Sequence, residues 1–249
     1  MIKAALARGC RSIGFSEHSY VVYDEFYSMS PGMTARYISE VSTLAEKYKD
    51  EIEVFLGLEQ DFLSDKPPEG LEYIIGSVHN IIMGEDFTTV DAGAKHQKIM
   101  VDTFFGGDYY SMAEEYYSIM SGLIGKTNAD IVGHFDLVSK YNFGGRLFDE
   151  TNPRYINAAL GAMDSILADC KIFEVNTGAM FRLGKAEPYP SVFLLKELHK
   201  RGGEVILTSD SHDAESLFHK FGEMRELLKD CGFKHIKRLT KDGFIDQEL

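Results

Sequence analysis

Cysteine is scarce. Cys10, Cys170 and Cys231 are the three in 249 residues, too few and too scattered for a disulfide scaffold or a zinc ribbon, which needs closely spaced pairs. An odd number with no secretory signal predicts a reducing, cytoplasmic setting. No apolar run approaches the roughly 18–20 residues needed to cross a bilayer, so no membrane partner is expected. Residues 1–9 lack the long apolar stretch and cleavage site of a signal peptide and read as a helix already under way. Positive charge is in short supply too: 26 Lys plus Arg face 39 Asp plus Glu, a formal charge of −13. That balance argues against nucleic acid as a partner, since its backbone rewards clustered cations. A small cationic substrate, or divalent metal ions, suits the field better. Repeats, low-complexity tracts and linkers are absent, which predicts one domain over residues 1–249. The contents of 44% hydrophobic and 26% charged residues exclude a disordered or collagen-like chain.

What is present is an alternation of short apolar runs with amphipathic stretches. Residues 12–16, 53–59, 73–79, 130–134, 171–176 and 204–209 read as strands, rich in Ile, Val and Phe and close to continuously apolar, as strands buried on both faces are. Helices are predicted over 34–49, 95–104, 111–125, 154–169, 190–201 and 214–231, with Asn152-Pro153 opening one and Gly202-Gly203 closing another. Alternation of this kind points to a (β/α) barrel or a doubly wound sheet. Residues 20–31, with three Tyr and one Phe, make a long connection of the sort that often carries function. Residues 234–249 read equally as a strand pair or a frayed tail.

The ionisable residues fall in a pattern. His18 follows the first run, Glu59 ends the second, His79 the third, His134 the fourth, and Asp210 and His212 follow the last. In a parallel α/β architecture all strand C-termini lie on one face, where sites are built. Any one of these residues alone reads as a cap or core-edge group. Five strands ending alike predict a shared metal site, and imidazole with carboxylate suits Zn, Fe or Mn. Asp210 and His212, two apart on extended chain, face the same way. His96, His199, His219 and His235 lack this position and read as solvated or interfacial.

The segments Gly14-Phe15-Ser16-Glu17-His18-Ser19, Gly57-Leu58-Glu59, Gly76-Ser77-Val78-His79, Gly133-His134-Phe135-Asp136 and Ser209-Asp210-Ser211-His212 resemble, in order, the motifs of the PHP (polymerase and histidinol phosphatase) superfamily. Asn176-Thr177-Gly178-Ala179-Met180-Phe181-Arg182, followed by Glu187-Pro188-Tyr189-Pro190, is similar to the histidinol-phosphatase branch. The resemblance implies an α/β fold, a distorted (β/α)7 TIM-like barrel, with two or three divalent metal ions (Zn, Fe or Mn) and hydrolysis of L-histidinol phosphate in histidine biosynthesis. By the same resemblance Glu59 bridges two metals, His79 and His134 hold one, Asp210 completes another, and His18 with His212 hold a third. Glu59, Asp210 and His212 are then the catalytic set. Glu17 stands where many relatives carry Asp.

A larger departure lies at the start. The superfamily opens with a strand ending in His-x-His, and no His precedes His18, so the first barrel strand is expected to be missing from this chain. Arg182 is the candidate phosphate clamp, because a guanidinium matches phosphate in a bidentate fork. Lys140 is a second substrate-binding candidate. Tyr23, Asp24, Glu25, Phe26 and Tyr27 offer carboxylates and aromatics to the ammonium and imidazole of histidinol. Two rivals stand beside this reading: a PHP phosphoesterase for another small phosphorylated metabolite, and a truncated metal-binding remnant without turnover.

Overall fold

The structure, a computed structural model, describes residues 1–22, 27–84 and 86–249. In chain order the first elements are α1 (Ile2–Ala7), β1 (Ser12–His18), α2 (Pro31–Tyr48), β2 (Glu53–Asp61), β3 (Tyr73–Ser77), β4 (Asn80–Met83) and β5 (Asp86–Thr89). Then come α3 (Ala94–Phe104), α4 (Tyr109–Ser121), α5 (Leu123–Thr127), β6 (Ile131–Val132), α6 (Pro153–Leu167), β7 (Ile172–Asn176) and α7 (Gly178–Leu183). The chain closes with α8 (Val192–Lys200), β8 (Glu204–Thr208), α9 (Phe221–Cys231), β9 (His235–Thr240) and β10 (Gly243–Glu248).

Eight strands form one sheet in the order β1-β2-β3-β6-β7-β8-β9-β10. Every neighbouring pair is parallel except β9–β10. The sheet curls. Phe55 of β2, Tyr73 and Ile75 of β3 and Ile131 of β6 pack in one cluster with Ile172, Ile206, Leu239 and Phe244, which span the sheet to its far edge. The ring of Tyr73 fills this interior because its neighbours are glycines: a Cβ at Gly57 would lie 2.2 Å from Tyr73 Cζ, and one at Gly14 2.5 Å from its hydroxyl. The outer face of the sheet buries the larger core, where Val132, Phe173, Val175 and Val205 meet Tyr116, Tyr117 and Met120 of α4 and Ala159, Met163 and Ile166 of α6. Ser30, Asp108 and Asn152 cap α2, α4 and α6 by accepting first-turn N–H groups, as short polar N-caps do.

The six strands expected from the sequence hold successive places in this TIM-like, incompletely closed sheet. β1 and β10 form its two ends among the described residues, and a cavity of about 1050 Å³ opens between β1 and the β8–β10 side. The expected helix over 111–125 is broken at Gly122, the C-cap of α4. The expected helix over 214–231 begins only at Phe221, because Asp213 Oδ1 accepts the N–H groups of Glu215 (2.9 Å) and Ser216 (2.8 Å). Such a side-chain turn competes with the helical ladder. Residues 73–79 divide: β3 stops at Ser77, and β4 turns away to pair with β5 in a separate hairpin. Residues 235–248 are the strand pair, and β9 extends the main sheet.

Candidate metal centre

Register brings the site together. His18 lies opposite Glu59 in the β1–β2 ladder, and Asp61 opposite Ser77 in β2–β3. His79 and His134 follow two residues after the ends of β3 and β6. Parallel strands ending level set these side chains on one rim.

Glu59 is the hub. Its Oε1 is 3.0 Å from His134 Nε2 and 3.3 Å from His79 Nε2, its Oε2 is 3.4 Å from His18 Nδ1, and Ser77 Oγ donates to Oε1 at 2.7 Å. Ligand atoms of His18, Glu59 and His79 all fall within 4.8 Å of one another. Burial alone would push the Glu59 carboxyl up; the charges of His18 and His79, with hydrogen bonds from His134 and His79, hold it well below the usual carboxylate range. His79 shows the reverse. Burial opposes its charge, yet Glu59 and the hydrogen bond to Asp61 raise it well above an ordinary imidazole.

This donor set fits a divalent cation. His79 Nε2 and His134 Nε2 are 3.1 Å apart. Two N–H groups cannot face each other at that distance, and two lone pairs need a proton or a cation between them. A metal ion satisfies both rings and Glu59 at once, in place of the extra protons the imidazoles otherwise draw. Asp61 Oδ2 takes the other nitrogen of His79, Nδ1, at 2.9 Å and orients the ring. His134 lacks such a partner: among the described residues its Nδ1 is buried with no hydrogen bond.

Asp210 and His212 line the same pocket, of about 220 Å³, with Arg182 and Lys140. They stand with Arg182 rather than in the tight cluster. Arg182 donates to Asp210 Oδ2 at 2.7 Å and lies 3.0 Å from His212 Nδ1. His212 Nδ1 also lies 3.1 Å from the Asp210 carbonyl, to which Arg182 donates as well, so the three groups form one knot. Asp210 adopts a left-handed φ of 44° that turns it toward this pair. A Cβ at Gly178 would lie 2.8 Å from Asp210 Oδ2 and 2.9 Å from an Arg182 nitrogen, so only glycine admits the contact. Lys140 Nζ is 3.2 Å from Asp91 Oδ2 on the pocket wall. Glu17 is exposed, and its side chain accepts from the N–H of His18 at 3.3 Å. His96, His199 and His235 are exposed and His219 half-buried. Tyr23, Asp24, Glu25 and Phe26 lie outside the described residues, while Tyr27 lines the pocket.

Sequence reasoning passed over Asp61, Asp91 and Glu174. Glu174 is buried in β7 and accepts from His134 N–H (2.5 Å), Asn176 Nδ2 (2.9 Å) and Thr208 Oγ1 (2.7 Å), so it ties His134 to β8. A carboxylate within the apolar run Ile172-Phe173-Glu174-Val175 was the available signal for it.

The PHP domain model matches residues 1–178. A Deinococcus radiodurans protein named "Probable histidinol-phosphatase" is 28% identical over 94% of this chain and 89% of its own. The histidinol-phosphatase of Lactococcus lactis is 26% identical over 94% and 85%. A crystal structure of Lactococcus lactis histidinol phosphate phosphatase, in complex with zinc, L-histidinol and phosphate, superposes with a TM-score of 0.70 at 21% identity, covering 98% of this chain and 90% of that one.

Proposed function

The chain belongs to the PHP domain family, and from that membership we propose that it is a metal-dependent histidinol-phosphatase, hydrolysing L-histidinol phosphate to L-histidinol and phosphate in histidine biosynthesis. One observation carries the reading: three imidazoles converge on Glu59 in a pocket that also presents Arg182 and Lys140. Curated relatives that align over most of the chain are named for this activity. Residues 1–249 form one metallophosphoesterase domain in this reading, acting in the cytoplasm on a small substrate.

Two or three divalent ions (Zn, Fe or Mn) would be held by His18, Glu59, His79 and His134, with Asp210 and His212 completing the set. The zinc of the Lactococcus lactis structure supports a divalent metal. When bound, such ions lower the pKa of water toward about 7 and polarise phosphoryl oxygens. Glu59 holds negative charge at the centre of the cluster, and Asp61 and Ser77 fix the faces that His79 and Glu59 present. Arg182 presents its fork beside Asp210, where it takes a phosphoryl oxygen as substrate enters. Lys140, paired with Asp91, adds a second cation to the same pocket.

Phosphate release from L-histidinol phosphate, sugar phosphates and nucleotides, before and after chelation and zinc reloading, tests this. Metal-dependent turnover highest on L-histidinol phosphate is expected. Preference for another ester would move the chain to a different phosphoesterase activity, and metal binding without turnover would make it a remnant.

A further inference from the structure

The pocket that holds the imidazole cluster contains a carboxylate that the metal centre leaves unused. Of the carboxylates among its described lining residues, Glu59 faces three imidazoles, Asp61 is bound to His79, and Asp210 is paired with Arg182. Asp91 is paired instead with Lys140. It follows β5 and is fixed from three sides. The Thr89 hydroxyl, also 3.1 Å from the His79 carbonyl, lies 2.7 Å from Asp91 Oδ1. Lys140 Nζ lies 3.2 Å from Oδ2, and the Tyr141 hydroxyl donates to the Asp91 carbonyl. Its side chain keeps 29% of its surface open, so a further donor can reach it from the pocket.

Burial works against its charge, yet His79 and Lys140 hold the Asp91 carboxyl down at about 2. Lys140 and Asp91 together present a positive and a negative group side by side on one wall. A phosphomonoester with an ammonium on the neighbouring carbon presents the opposite pair. L-Histidinol phosphate is such a vicinal amino phosphate.

On the reading of the chain as a histidinol-phosphatase, we infer that Asp91 is the specificity residue for the substrate's ammonium, with Lys140 beside it facing the phosphoryl group. A charge-assisted hydrogen bond of this kind discriminates by tenfold or more.

The test compares kcat/KM for L-histidinol phosphate and for its analogue lacking the amine, in the zinc-loaded wild type and in Asp91→Asn. The wild type is expected to favour the amine at least tenfold, and Asp91→Asn to lose at least tenfold of that ratio, whatever its absolute rate. Asp91→Glu, which keeps the charge, should return most of it. Calorimetric titration with L-histidinol supplies a readout independent of turnover: binding should weaken at least tenfold in Asp91→Asn. A ratio kept within twofold in Asp91→Asn, or histidinol bound as in the wild type, overturns the inference and leaves the histidinol-phosphatase reading standing. A wild type that prefers nucleotide or sugar phosphates overturns both.

Discussion

Asp136 follows the cluster by two residues and is fully buried; its Oδ2 accepts the Ser191 N–H at 3.0 Å, while its Oδ1 has no partner among the described residues. Burial pushes its carboxyl from the usual 3.8 to about 6. The folded state therefore keeps a proton that the unfolded chain releases near pH 4. From there to pH 6 stability falls as pH rises, and above pH 6 the full cost of ionising Asp136 is in place, about 3 kcal/mol at 1.36 kcal/mol per pH unit. Asp136→Asn removes this slope. Urea unfolding at pH 4 and pH 7 should show the wild type losing about 2.4 kcal/mol relative to the variant across that interval; parallel curves would mean the carboxyl finds a partner once folded. Glu59 carries the opposite stake. Glu59→Gln deletes the one charge facing His18, His79 and His134. Metal content measured after dialysis should drop and phosphate release fall by roughly a thousandfold, since losing a ligand or its orienting partner costs affinity and rate together.

The elements show which parts of the candidate site a sequence can declare. His18, Glu59, His79, His134, Asp210 and His212 were legible because each ends a continuous apolar run, and parallel strand ends share a rim. Asp91 was not, because the β4–β5 hairpin that places it interrupts the strand–helix rhythm, and its partner Lys140 is 49 residues on. Glu174 went unread for a similar reason: its bonds reach His134, 40 residues away, and Thr208, 34 away. The pairing of Arg182 with Asp210 and His212 depends on the left-handed turn at Asp210, which no periodicity announces. β6 gives the sharpest case of an element positioning the site. It is only Ile131–Val132, and Gly133 continues its ladder by donating to the Gly76 carbonyl at 2.8 Å. A Cβ at Gly133 would lie 2.3 Å from Ser77 Oγ and 3.0 Å from the Gly76 carbonyl. Gly133→Ala must then push apart the two strands that carry His79 and His134. Overpacking of this kind costs about 1–3 kcal/mol. Lower zinc affinity should accompany the lower unfolding midpoint, and an unchanged affinity would separate the strand contact from the cluster.

At the scale of the whole molecule, the open side of the sheet decides how the protein behaves in solution. The β9–β10 hairpin lies along β8 and supplies Leu239 and Phe244 to the interior cluster that contains Phe55, Tyr73, Ile75 and Ile131. Deleting residues 235–249 would do two things at once: strip apolar cover from that interior and leave β8 with a bare edge, a template for pairing with another chain. The deleted segment carries Lys237, Arg238 and Lys241 against Asp242, Asp246 and Glu248, so the formal charge of −13 is unchanged by its loss. Any new association then comes from the exposed edge and not from altered charge repulsion. Because that repulsion is screened within roughly 8 Å at 0.15 M ionic strength and roughly 3 Å at 1 M, the shortened chain should be mostly monomeric at low salt and associate as salt rises. Light scattering behind a sizing column reads this directly. The full chain should show a much weaker salt response, and Phe244→Ala, which thins the interior without baring β8, should lower the free energy of unfolding by about 1–3 kcal/mol while leaving the mass unchanged. Equal association in the point variant would place the adhesive surface in the interior cluster instead of on the strand edge.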